Sequence, residues 1–62
     1  MPLDEQQKQQ MKERRILLYE SRTFELEMDA EAARAVGDDE HADRINEDIA
    51  KMQAAILAVA KM

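Results

Sequence analysis

The chain has no cysteine and no tryptophan, a single histidine, one glycine, one proline and two aromatic residues, Tyr19 and Phe24. Each shortage removes a class of protein. Without cysteine there is no disulfide framework, no thiolate zinc site and no thiol nucleophile. One histidine cannot build a His-rich metal centre within one chain. One glycine cannot make the glycine-rich loop that cradles a phosphate. Apolar runs are short as well. The most apolar stretch, "MQAAILAVAKM", falls far below the roughly 18 residues of a membrane span, and Lys51, Gln53 and Lys61 bound or interrupt it. The opening "MPLDEQQKQQ" lacks the apolar core of a secretory signal. These features lead us to expect a soluble, cytoplasmic chain.

What remains favours long helices. At 62 residues the chain is one domain, and a lone core of that size rarely supplies more than roughly 3–5 kcal/mol. With disulfides and Cys-based metal sites excluded, oligomerisation is the expected source of further stability. From Leu3 to Ala35, and again from Asp39 to Met62, no glycine or proline interrupts strings of Gln, Glu, Lys, Arg, Leu, Met and Ala, the strong helix formers. Pro2 suits a first helical turn. Between the two runs lies "VGDDEH". Gly37 past a helix end can take a left-handed conformation at least cost, and Asp38 or Asp39 can cap the helix that follows. The expected fold is therefore all-α, a two-helix antiparallel hairpin forming a single unit over 1–62. Helix 1 runs from about 3 to 35, the turn occupies 36–39 (Gly37, Asp38, Asp39), and helix 2 runs from about 39 to 61.

Apolar spacing supports the same layout. Ala42, Ile45, Ile49, Met52, Ile56 and Val59 step alternately by three and four, which is one helical face. Helix 1 carries two such stripes. One contains Leu17, Ser21, Phe24, Met28 and Ala35. The other contains Ile16, Tyr19, Thr23, Leu26, Ala30 and Ala33, roughly opposite at about 100° per residue. In an antiparallel pair, facing residues have a constant sum of numbers. The Phe24 stripe pairs with helix 2 at a sum of 77, mirrored at residue 38.5, inside the turn. The Leu26 stripe pairs at 75. The Phe24 stripe is the larger, so the expected hairpin core is Leu17, Phe24, Met28, Ile45, Ile49, Met52, Ile56 and Val59. Ile16, Tyr19, Leu26 and Ala30 are then expected to face a partner or another copy, with Tyr19 as anchor. On this reading Leu26→Asp spares helicity and abolishes association. Residues 1–14 are left as a polar overhang with no partner on helix 2. The assembly expected is a homo-oligomer, most simply a dimer forming a four-helix bundle of coiled-coil character.

Candidate chemistry is sparse. Asp38-x-x-His41 has the spacing of the Glu-x-x-His pairs in carboxylate-bridged metal sites of helical bundles. Its acid is Asp, however, and it sits at the turn, where capping explains every residue. Gly37 precedes the acids, the wrong order for a calcium loop. Ser21 and Thr23 have no histidine within helical reach to act as base. No catalytic residue, cofactor or metal is expected.

Net charge is −5, unevenly placed. Residues 6–19 carry Lys8, Lys12, Arg14 and Arg15 against Glu13, a net +3. Residues 20–48 carry three arginines against eleven acids, a net −8. The acidic body disfavours nucleic acid, whereas Lys8, Lys12 and Arg15 share a helical flank and form a candidate basic contact. In size and hairpin layout the chain resembles the Rop family, small antiparallel hairpin dimers that form four-helix bundles and bind paired RNA loops. It also resembles the two-helix co-chaperones of type III secretion, which pair with a second chaperone to hold a needle subunit. Both resemblances are architectural and carry no residue roles. The function expected is a non-enzymatic protein–protein interaction module: an adaptor, a chaperone-like protein or a regulatory protein. Its expected partners are itself and another protein, with no membrane. The alternative is a Rop-like dimer binding structured RNA through the basic part of helix 1.

Overall fold

The computed structural model describes residues 2–62. Two α-helices, α1 (Glu5–Ala35) and α2 (Asp39–Ala60), pack against each other as a hairpin 52 Å long and 14 Å across. Helix α1 begins two residues later than expected because Asp4 caps it. The Asp4 carboxylate accepts from Gln7 N at 2.7 Å, and the Gln7 side chain accepts from Asp4 N at 3.1 Å. This reciprocal capping box satisfies two backbone donors that a helix start leaves unpaired. Among the described residues no helix is long and apolar enough to cross a membrane.

The connection between the helices is a Schellman closure. Gly37 has φ +80°, the one positive φ among the described residues. Its N–H donates to Arg34 O at 3.0 Å, and Asp38 N–H donates to Ala33 O at 2.9 Å. These two bonds cap the last carbonyls of α1. Asp38 then caps α2, its carboxylate accepting from His41 N at 3.2 Å. One short turn thus ends one helix and starts the next.

The buried residues are Thr23, Leu26, Ala30 and Ala33 on α1, with Ala42 and Ile45 on α2. Ile49 and Met52 pack against this core. The expected inner face of α1 is therefore corrected. Leu26 is 6% exposed, whereas Leu17, Phe24 and Met28 are 63%, 60% and 50% exposed. The helices pair at a sum of 75, not 77, and the mirror point moves from 38.5 to 37.5. The short connection limits how α1 can be rotated against α2, and the rotation observed turns Ala33 inward. Side-chain size agrees. Ala30, Ala33 and Ala42 are buried where the helices meet near the turn, and small side chains there permit close packing. A phenylalanine on that face would hold them apart.

Thr23 is the one polar member of the buried set. Its Oγ1 donates to Tyr19 O at 2.8 Å, so the hydroxyl is satisfied within its own helix. The ion pairs Lys8–Glu5, Arg22–Glu25, Arg34–Glu31 and Arg44–Glu40 are all solvent-exposed and add little stability. Burial of the α1–α2 seam carries the hairpin.

Two substitutions test this account. Gly37→Ala places a Cβ where no atom lies within 4 Å, so its cost is backbone strain alone, about 1–2 kcal/mol. At fixed protein concentration the thermal midpoint should fall by roughly 4–8 °C per kcal/mol. Leu26→Asp should abolish the helical circular dichroism signal, because it buries a charge in the centre of the seam. A Leu26→Asp chain that stayed fully helical would show that this residue lies outside the core.

Candidate functional site

The inversion of α1 moves its accessible apolar surface to the opposite face. Leu26 and Ala30, expected at a partner interface, are buried within the hairpin, and Ile16 and Tyr19 beside them are half-buried. They are corrected from interface to hairpin seam. Leu17, Phe24 and Met28, expected in the core, stand on the outer face. On α2, Ile45 is buried and Ile49, Met52, Ile56 and Val59 are half-buried on the side toward α1.

Leu18 beside Leu17, Met11 nearer the start of α1 and Leu57 on α2 are exposed as well. Phe24 and Met28 border an open groove between the helices, whose other walls are Glu27, Glu31, Arg34, Asn46 and Ile49. Ala30 lies at its floor. The apolar patch thus has a rim of two acids, an arginine and an amide, and a recess beside its largest side chain.

A second groove lies at the open end of the hairpin, where α1 extends past α2. Leu3, Met11, Tyr19, Val59 and Met62 line it together with Lys8, Lys12 and Arg15. The three basic residues read as one flank are therefore gathered around one apolar trough. Lys12 Nζ donates to Met62 O at 2.6 Å and ties α1 to the end of α2. Lys8 Nζ lies 3.4 Å from Glu5 Oε1. Lys12, inside the stretch 1–14 expected as an overhang, thus meets the end of α2.

The "VGDDEH" stretch is a capping device. Asp38 is engaged at the start of α2 and His41 is exposed. No three His, Asp or Glu side chains converge among the described residues.

Sequence reasoning missed the Asp4–Gln7 capping box, although the signal was present: an acid three residues ahead of a glutamine at the start of a helical run. No protein-family model matches the chain, and neither a curated protein nor a solved structure matches it.

Proposed function

We propose that this chain is a non-enzymatic protein–protein interaction module that acts through the outer face of α1 and through self-association, most simply as a dimer. The observation that carries the reading is the exposure of Leu17, Phe24 and Met28 on a helix whose opposite face already closes the hairpin. A two-helix hairpin needs one apolar stripe per helix, and this one has a spare. Apolar surface gathered on one face of an otherwise charged helix marks an interaction site more often than scattered exposure does. Phe24 is the natural anchor, since a large aromatic side chain beside a recess concentrates binding energy.

Energetics support the same reading. Among the described residues no large side chain is fully buried. The hairpin seam alone is thin for a chain of this length, and covering the outer stripe is how a second chain adds apolar burial at about 25 cal/mol per Å². Closure into a four-helix bundle or a higher helical oligomer follows from that need, and a cytoplasmic location belongs to the same proposal. Adaptor, chaperone-like and regulatory roles all use such a face.

A specific observation favours structured RNA as the second reading: Lys8, Lys12 and Arg15 line one groove. Three phosphate contacts give log K a slope against log salt of about −2 to −3. An apolar helix contact lacks that dependence.

The deciding experiment is sedimentation of the native chain and of Phe24→Asp, each checked for helicity. On the proposed reading Phe24→Asp stays helical, since Phe24 lies outside the seam, and loses association or partner binding by at least ten-fold, about 1.4 kcal/mol. Unchanged association by Phe24→Asp, together with RNA binding that follows the steep salt slope, would move the assignment to the second reading.

A further inference from the structure

The outer stripe of α1 has an order as well as a composition. Leu17, Ser21, Phe24 and Met28 step by four, three and four. Reflected about their own midpoint, Leu17 falls opposite Met28 and Ser21 falls opposite Phe24, both at a sum of 45. The reflection sets the bulkiest residue of the stripe against the smallest, which is how facing helices interdigitate. The next position outward on the same face is Arg14, and its mirror position is Glu31, again at 45. Both are exposed.

Charge obeys the same symmetry. In this register residues 6–19, net +3, lie along residues 26–39. The latter carry Glu27, Asp29, Glu31, Asp38 and Asp39 against Arg34, a net −4. A parallel alignment does the reverse, setting the basic segment on itself and the acidic segment on itself. Size matching along the stripe and the Arg14–Glu31 charge match at its ends are independent, and both select one orientation; Lys8, Lys12 and Arg15 line the groove at the open end and add only to the longer-range field.

From these we infer that the occupant of the outer face is a second copy of the chain, bound antiparallel through α1 about a two-fold axis between residues 22 and 23. Phe24 of each copy seats over Ser21 of the other, and Arg14 of each pairs with Glu31 of the other. A two-fold contact of this kind uses one patch twice and closes on itself. The inference rests on the reading of the outer stripe as an interaction surface and adds its occupant, orientation and register. Glu20 and Glu27 lie on one flank of the stripe and come near each other across the axis. Both are exposed, so salt screening keeps their repulsion small.

The test is charge reversal, read by sedimentation equilibrium on the full chain with helicity checked for each variant. Arg14→Glu and Glu31→Arg each place like charges at both symmetry-related pairs, and each should raise the dimer dissociation constant about ten-fold. The double variant Arg14→Glu/Glu31→Arg restores opposite charges and should return close to the native value. An equimolar mixture of the two single variants should associate more tightly than either alone, as both pairs become complementary. Singles that weaken association without rescue in the double overturn the register. If no charge variant matters while Phe24→Asp still dissociates the native oligomer, the antiparallel dimer is overturned and the interaction surface stands. If the native chain is monomeric at millimolar concentration, the self-complementary face is overturned. Unchanged partner binding by Phe24→Asp would then remove the surface itself.

Discussion

Everything in this hairpin depends on how the chain leaves α1. Gly37 at φ +80° accepts a backbone state that other residues adopt only under strain. That state lets Gly37 and Asp38 return their N–H groups to Arg34 O and Ala33 O. The closure is short, so it limits the rotation of α1 as well as reversing the chain's direction. Ala33 turns toward Ala42, and every residue in step with it follows: Ala30, Leu26, Thr23, Tyr19 and Ile16. The face left outside is the one this packing does not bring in, and it carries Leu17, Phe24 and Met28.

This dependence explains which features could be read from the residues. Two helices separated at Gly37 were legible, since helix formers run unbroken on both sides and capping acids follow the glycine. The inner face of α2 was legible because it has one clear apolar stripe. The inner face of α1 was not, because it has two. Counting apolar bulk favours the stripe with Phe24 and Met28, yet bulk is the wrong criterion beside a tight turn. There the buried positions are Ala30, Ala33 and Ala42, small residues that fit between two helices joined by a short connection. The information lay in the small residues Ala30, Ala33 and Ala42, whose low hydrophobic weight hides their role in close packing. On α1 the candidate site inherited the error as an exchange of faces: Leu26 and Ala30, expected outside, are in the seam, and Leu17, Phe24 and Met28, expected in the seam, are outside, while the α2 face stands as expected.

The exchange also gives the spare stripe a sharper meaning. Had the Phe24 face closed the hairpin, the surplus would have been Ile16, Tyr19, Thr23, Leu26, Ala30 and Ala33, a face that thins to alanine toward the turn. With the seam as observed, the surplus carries Leu17, Phe24 and Met28, three large side chains over three turns. The thin seam and the rich exterior are two sides of one distribution. That distribution is what supports the proposed association through α1.

The charge distribution completes that logic. Within one hairpin the basic segment of α1 lies beside the apolar, charge-poor end of α2, where Lys12 finds the Met62 carbonyl and no carboxylate-rich surface. The acidic segment of α1 lies beside the acid-rich start of α2, across Asp39, Glu40, Asp43, Glu47 and Asp48. Folding the single chain therefore brings like charges together at the turn end and leaves the cations at the open end. Intramolecular contacts do not resolve this imbalance, and exposed pairs one helical turn apart compensate only weakly. A second surface of opposite polarity would relieve both ends at once, and the antiparallel copy proposed above would supply it.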